Sequence, residues 1–173
     1  MDMRNDASPT ARQEGGRASA AQAASAEFLT FRLGAEEYGI DILRVQEIRS
    51  YDAVTRLPDA PAYITGAINL RGIIVPVVDT RLKFRLARAE YNALTVMIVL
   101  NVGSRVVGMV VDSVSDVVQL SGEQIRAVPE IGATIDRQFL TGIGTLDERM
   151  LILLDIERLM GHETMGLVAA EAA

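Results

Sequence analysis

The sequence predicts an all-β protein with a few short helices, built from two similar five-stranded units. Two observations support this prediction. From Phe28 onward, apolar and β-branched residues alternate with polar residues or form short continuous runs, as is typical of strands. The second half of the chain then repeats the pattern of the first half. Because a five-stranded sheet loses its exposed edges when it curls up, each unit is expected to form a small barrel.

Ten strands are predicted from these patterns. Their ranges are 28–33, 37–42, 44–50, 64–70, 73–78, 95–102, 105–111, 114–120, 139–146 and 150–154. Helical signals are few. Ser121 and Gln124 have the spacing of a capping box, and short helical turns can begin after Asp79 and Asp155.

The first part of the repeat covers the early strands of each half. Residues 38–48 (YGIDILRVQEI) align with residues 107–117 (VGMVVDSVSDV), so the offset from position 38 to position 107 is 69. This alignment pairs Gly39 with Gly108. Glycine at both positions indicates that the backbone bends sharply or is closely approached there.

The second part of the repeat has a longer offset. Residues 64–79 (ITGAINLRGIIVPVVD) align with 140–155 (LTGIGTLDERMLILLD), so the offset from position 64 to position 140 is 76. An insertion near Ser121 accounts for the difference, because surface connections tolerate insertions at a small cost in loop entropy. The two barrels are therefore expected at about 27–86 and 94–160.

The composition narrows the class of protein. A chain of 173 residues with 49% hydrophobic and 23% charged residues fits one compact soluble domain, expected at 27–160. Residues 1–26 lack apolar periodicity and are interpreted as a disordered arm, and 161–173 as a tail. The net charge of −6 disfavours nucleic acid as a partner. The apolar runs are far shorter than the roughly 20 residues of a membrane span, so no direct membrane insertion is expected.

The residues that could carry catalytic or metal chemistry do not form a recognisable set. The chain has no cysteine, and its one histidine, His162, lies near the end of the chain, where an exposed position is expected. Asp112 and Asp116 are the candidates for an oxygen-ligand metal site, but a solvated strand face is the preferred interpretation. Asp79 and Asp155 are interpreted as helix caps. We therefore predict a protein that is not an enzyme and that has no cofactor and no metal site.

Arg71 is the residue that most clearly distinguishes the two halves. Its counterpart at the offset of 76 is Asp147, so the barrel itself requires neither charge at this turn. An exposed arginine offers a planar set of donors for carboxylates or carbonyls. An ordinary solvated turn residue is the alternative, because surface arginines are common.

Three segments of the chain resemble the CheW family of bacterial chemotaxis coupling proteins. They are YGIDILRVQEI, RLPDAPAYITGAINLRGIIVPVVD and LTGIGTLDERMLILLDIERL, and the resemblance extends from about Phe28 to Met160. The GAINLRG and PVVD elements together are specific, although the regulatory domain of the kinase CheA and the first domain of CheV share much of the pattern. The resemblance implies two SH3-like five-stranded β-barrels packed side by side.

The resemblance also implies a function. It suggests a non-enzymatic adaptor that couples methyl-accepting chemotaxis receptors to the histidine kinase CheA and helps to build receptor arrays. The implied partners are the cytoplasmic tip of the receptor, the regulatory domain of CheA and other copies of the adaptor, and the implied location is the cytoplasm at membrane receptor arrays. The alternatives are a related scaffold of another chemosensory pathway and a barrel that binds a small ligand.

The contact residues are likewise implied by the resemblance. The family associates the glutamate of VQEI and the arginine of NLRG with receptor contact, and Val45 lies beside them. The receptor-contact residues expected here are Val45, Glu47 and Arg71. An apolar surface on the first barrel is expected to contact the kinase, with Ile40, Ile42 and Leu43 as candidates.

Overall fold

The computed structural model describes residues 25–52, 54–84, 91–129 and 137–161. His162, nearly all of the predicted arm and nearly all of the predicted tail lie outside the described residues. Ala26, placed in the arm by the sequence prediction, is the first residue of the first strand.

Eleven strands form in the described residues, including all ten that were predicted. They are β1 (Ala26–Leu33), β2 (Glu36–Asp41), β3 (Val45–Ser50), β4 (Ile64–Leu70), β5 (Ile73–Asp79), β6 (Val96–Val102), β7 (Arg105–Val111), β8 (Ser113–Leu120), β9 (Ile125–Arg126), β10 (Leu140–Leu146) and β11 (Arg149–Leu154). The two-residue strand β9 was not predicted, because so short a segment shows no alternation of apolar and polar residues.

The helices are short, as predicted. Two α-helical turns, α1 (Thr80–Lys83) and α2 (Ile156–Leu159), begin directly after Asp79 and Asp155. A 3₁₀ turn at Gly122–Gln124 follows Ser121, whose backbone N–H donates to Gln124 Oε1 over 2.8 Å. Among the described residues, no helix has the length and apolar character needed to cross a membrane.

The strands form two sheets that exchange hairpins between the halves of the chain. One sheet, here called sheet A, has the order β8-β1-β2-β11-β10-β9, and sheet B has the order β3-β6-β7-β5-β4. The predicted barrel ranges, 27–86 and 94–160, are therefore wrong, because each sheet takes its central hairpin from the opposite half. The sequence pattern could not reveal the exchange, since both hairpins have the same apolar character and fit either position.

The register of the strands agrees with the internal repeat. Gly39 lies opposite Thr30 of β1, and Gly108 lies opposite Val99 of β6, which is 69 positions beyond Thr30. Both glycine strands also pair in parallel with the last strand of the other half, β2 with β11 and β7 with β5. The two sheets thus have the same strand arrangement.

Each sheet closes through the stretch of chain that follows one of its edge strands. After β3, Thr55 pairs with Ala67 of β4, and after β8, the short strand β9 pairs with β10. These crossings require glycine on the opposing strand. A Cβ at Gly66 would lie 2.2 Å from the Thr55 carbonyl oxygen, and one at Gly142 would lie 2.8 Å from that of Arg126.

The largest apolar core lies where the two barrels meet. It combines residues of the exchanged hairpins, so β1, β2, β6 and β7 are covered on both faces, and this explains their nearly continuous apolar runs. The hairpin residues in this core are Leu29, Phe31, Leu33, Tyr38, Ile40, Ile98, Leu100, Val102, Val107, Met109 and Val111. Smaller clusters occupy the interiors of the two barrels.

The contact at Gly66 predicts a specific loss of stability. Gly66→Ala should lower the free energy of unfolding by about 1–3 kcal/mol, because the added methyl meets a backbone carbonyl that cannot rotate away. Urea denaturation measures the change. Gly122→Ala is the matched control, since a Cβ there meets nothing within 4 Å, and it should change stability by less than about 0.5 kcal/mol. If the two variants were equally stable, the contact between Gly66 and the Thr55 carbonyl would be loose enough to accept the added methyl.

Candidate functional site

The candidate site is formed by edge strand β3 and the turn between β4 and β5. In that turn Arg71 has φ 51° and Gly72 has φ 89°, and the Gly72 N–H donates to Asn69 Oδ1 over 2.8 Å. Asp147, at the equivalent turn of sheet A, has φ 56°. The first turn residue is therefore left-handed in both halves, although the side chains carry opposite charges.

Arg71 and Glu47 form an ion pair across the two edges of sheet B. Arg71 Nη2 lies 3.1 Å from Glu47 Oε2, and Arg49 Nη1 lies 3.6 Å from Glu47 Oε1. The Arg71 side chain is 65% exposed and that of Glu47 is 28% exposed. The pair thus fixes the carboxylate while most of the Arg71 guanidinium stays available to a partner.

Large apolar residues that are close to this ion pair in sequence are exposed. Ile73 and Ile74, at the start of β5, and Ile48, next to Glu47 on β3, all present large apolar surface to solvent. A continuous aliphatic run such as the one that begins at Ile73 is typical of a buried strand, but its first two residues are exposed. They lie at the open end of the barrel, beyond the residues that fill its interior.

The equivalent position of sheet A also carries an acid and an arginine. Arg149 Nη2 lies 3.0 Å from Asp116 Oδ1 and 2.8 Å from Glu37 Oε2. Hydrogen bonds from Arg149 and then from Thr30 hold the pKa of the Asp116 carboxyl below its usual value. Asp116 was expected on a solvated face; its side chain is 47% exposed, and it also takes part in a network of ion pairs that the sequence did not indicate.

A second network, which the sequence interpretation missed, surrounds Arg81. This side chain is only 1% exposed, and its Nε and Nη2 atoms lie 2.9 Å from the two oxygens of buried Asp79. Arg81 Nη1 donates to Asp112 Oδ1 over 3.0 Å, and the Tyr91 hydroxyl donates to Asp79 Oδ2 over 2.6 Å. Burial, and then the hydrogen bond to Asp79, raise the pKa of Tyr91 above its usual value.

This network extends two expectations. Asp79 and Asp155 do cap the helical turns, since they accept the backbone N–H groups of Arg81 and Arg158. Asp112, expected on a solvated face, is 35% exposed and is also ion-paired with Arg81. Comparison of the two halves could have identified Arg81, because its counterpart at the offset of 76 is Glu157 and the charge is reversed.

The three kinase-contact candidates lie in very different environments. Ile40 is 0% exposed and belongs to the core between the barrels, so a partner cannot reach it and its prediction as a contact residue is wrong. Ile42 is half-buried against the same core. Leu43, in a 3₁₀ turn at Ile42–Arg44, is 84% exposed. The burial of Ile40 was not visible in the sequence, because an apolar residue in a strand does not show that both faces of that strand are covered.

A groove of about 770 Å³ lies elsewhere on the surface. Its lining includes Tyr51, Leu57, Leu82 and Tyr91, and none of the predicted contact residues lines it. In the described part of the chain, no group of three or more histidine, aspartate or glutamate side chains is arranged to hold a metal ion.

The chain matches the CheW-like domain family over residues 27–164. The chemotaxis protein CheW of Klebsiella aerogenes is 59% identical over 142 residues, covering 82% of this chain and 86% of the relative. The chemotaxis protein CheW of Rhizobium meliloti is 38% identical over 137 residues, covering 79% and 88%. The crystal structure of scaffolding protein TtCheW from Thermoanaerobacter tengcongensis has a TM-score of 0.73 and 30% identity, covering 80% of this chain and 90% of that one.

The fold and these similarities define a non-enzymatic scaffold of chemotaxis signalling, built from two SH3-like barrels. The chain belongs to the CheW family. The predicted family and fold class are thereby confirmed, and the family assignment agrees with the prediction that the chain is not an enzyme.

The network at Asp116 predicts a pH dependence of stability. Because the folded pKa of Asp116 lies below its usual value, its contribution is present above the unfolded pKa and is lost as the pH falls through the folded pKa. Asp116→Asn should therefore be less stable than the parent at about pH 7, and the difference should shrink towards about pH 3. Urea midpoints at several pH values measure this. The control is Asp147→Asn, in the turn of sheet A that corresponds to the Arg71 turn, and its urea midpoint should match that of the parent at every pH. A loss of stability in Asp116→Asn that is the same at every pH would contradict the prediction.

Proposed function

We propose that this chain couples methyl-accepting chemotaxis receptors to the histidine kinase CheA in receptor arrays at the cytoplasmic side of the membrane. The observation that carries the proposal is the exposed Arg71, held in a left-handed turn and oriented by half-buried Glu47. Membership of the CheW family supports the assignment.

The receptor is proposed to bind at the site formed by Arg71, Glu47 and Val45. An amphipathic helix of a receptor tip needs an apolar seat with charged rims. Ile73 and Ile74 are exposed at the start of β5, two and three residues after Arg71, and Val45 lies at the start of β3, before Glu47. The free guanidinium donors of Arg71 suit carboxylate or carbonyl oxygens on the helix.

The kinase is proposed to bind through the exposed 3₁₀ turn that carries Leu43. A leucine that is 84% exposed on an ordered turn is well placed to enter an apolar pocket of another protein. Further copies of the adaptor are proposed as additional partners in the array. Leu43 precedes Val45 by two residues, so the proposed kinase and receptor contacts lie on consecutive elements of one stretch of chain.

Reversal of the charge at Arg71 tests the receptor contact. Arg71→Asp should weaken binding to a receptor signalling tip at least roughly tenfold, because repulsion replaces several charge-assisted donors. The melting temperature should change little, since the equivalent turn already accommodates Asp147 with a similar φ. Receptor pull-down, kinase activation and thermal melts measure these effects. Asp147→Arg, which places an arginine on the equivalent turn, is the control and should leave coupling intact.

A double variant separates the ion pair from the binding role. Arg71→Asp combined with Ile73→Arg copies the arrangement of the second half, where Arg149 occupies the position equivalent to Ile73 and binds Asp116. It should replace Arg71 as a partner of Glu47, beside Arg49, and still fail to bind receptor. If Arg71→Asp melts normally and couples normally, the receptor site lies elsewhere; if the double variant binds receptor, only the ion pair matters.

A further inference from the structure

Two side-chain carboxylates hold the turns of the exchanged hairpins. The Gly34 N–H, in the β1–β2 turn, donates to Asp112 Oδ2 over 2.7 Å, and the Gly103 N–H, in the β6–β7 turn, donates to Glu157 Oε1 over 3.3 Å. Gly34 and Gly103 are 69 positions apart and have φ of 64° and 61°. The two turns are therefore equivalent and are held in the same way.

An arginine completes each arrangement. Arg81 Nη1 lies 3.0 Å from Asp112 Oδ1, and Arg44 Nη1 lies 2.5 Å from Glu157 Oε1. Glu157 follows Arg81 by 76 positions, so the same helical position carries an arginine in one half and a glutamate in the other. We call these the Asp112 clamp (Gly34, Asp112 and Arg81) and the Glu157 clamp (Gly103, Glu157 and Arg44).

The two clamps differ in burial. In the Asp112 clamp Arg81 is 1% exposed, whereas in the Glu157 clamp the side chains of Arg44 and Glu157 are 42% and 40% exposed. An exposed ion pair contributes little to folding because solvent screens it. The main effect of the Glu157 clamp is therefore on the local position of the chain that carries Arg44.

That chain is the 3₁₀ turn Ile42–Arg44, which is fixed at both ends. At its start, Asp41 Oδ1 accepts the Leu43 N–H over 2.9 Å, and at its end Arg44 binds Glu157 of helix α2. The Leu43 side chain between them is almost fully exposed. Its orientation depends on the turn, because little of the side chain is packed against the protein.

We infer that Arg44 and Glu157 are positioning residues for the kinase contact, holding Leu43 in the orientation in which it enters an apolar pocket of the kinase. This inference rests on the proposed function. An apolar side chain on a turn that is already ordered loses less conformational entropy on binding, so the clamp raises affinity without touching the partner.

Paired neutralising variants test the inference. Arg44→Gln and Glu157→Gln should each weaken binding to the CheA regulatory domain roughly three- to tenfold, and the double variant should be no weaker than either single one, because both remove the same ion pair. Glu157→Gln keeps an oxygen that can accept the Gly103 N–H. Arg44→Lys should bind within about twofold of the parent, since it keeps the charge. Arg158→Gln, on the same helix, is the control and should not change the affinity.

A local readout distinguishes positioning from general loss of structure. Amide hydrogen exchange at 42–45 should be faster in Arg44→Gln and Glu157→Gln, whereas the melting temperature and receptor binding through Arg71 should not change. Unchanged exchange in these variants would overturn the inference. Additive losses in the double variant would also overturn it, because they would show that the two side chains contact the kinase independently.

Leu43→Ala separates the inference from the proposed function. If Leu43→Ala weakens kinase binding and Arg44→Gln does not, the positioning role is wrong and the kinase contact stands. If Leu43→Ala leaves kinase binding unchanged, the proposed kinase contact is wrong, and the inference fails with it.

Discussion

The exchange of hairpins between the halves is the constraint on which the rest of the structure depends. The β1–β2 hairpin completes the sheet formed by the last strands of the second half, and the β6–β7 hairpin completes the sheet of the first half. Their outward faces then pack against each other in the largest apolar cluster. Neither barrel can bury its central strands without the other half, so the two barrels are parts of one cooperative unit.

The repeated strand arrangement of the two sheets separates what the fold needs from what one half does alone. Capping aspartates, turn glycines and crossing glycines occur in both halves at matching registers. Charge does not follow the symmetry. Arg71 corresponds to Asp147 and Arg81 to Glu157, while the acids Glu47 and Asp116 each find an arginine from a different position of the neighbouring hairpin. Surfaces of equal shape therefore carry different charge patterns, which lets one small scaffold present different sites.

Most of the strand pattern could be predicted from sequence because the alternation of apolar and polar residues is a local signal. The paired glycines mark the internal repeat. The pairing of Gly39 with Gly108 was visible in the sequence and corresponds to equivalent positions in the two sheets. The strands with which each hairpin pairs were not predictable, because a strand covered on both faces has the same composition whichever of the two sheets it joins. Ile40 is an example, because the apolar character of a strand residue does not show whether its side chain packs against a second barrel.

Most of the ion pairs could not be predicted from the sequence, for a related physical reason. Ion pairs such as Arg81 with Asp112 join residues that are distant in sequence, and the exchange decides which turns meet. Arg71 was identified because it interrupts the repeat, and the same comparison applied to position 81 would have identified the buried arginine. At Asp112 and Asp116 only the partners were missing, since both side chains are partly exposed to solvent and each is also paired with an arginine.

The exchanged topology also has a consequence for synthesis of the chain on the ribosome. Strand β2 pairs with β11, which is the last strand in the described chain, so sheet A cannot form until nearly all of the described residues have emerged. Sheet B needs only residues up to β7 and can assemble earlier. During translation β1 can pair with β8 soon after β7 has emerged, but β2 waits without its partner strand β11, and contacts of such long sequence separation form slowly. Nascent chains should be most prone to aggregation and chaperone capture in this interval, after β7 has emerged and before β11 has arrived.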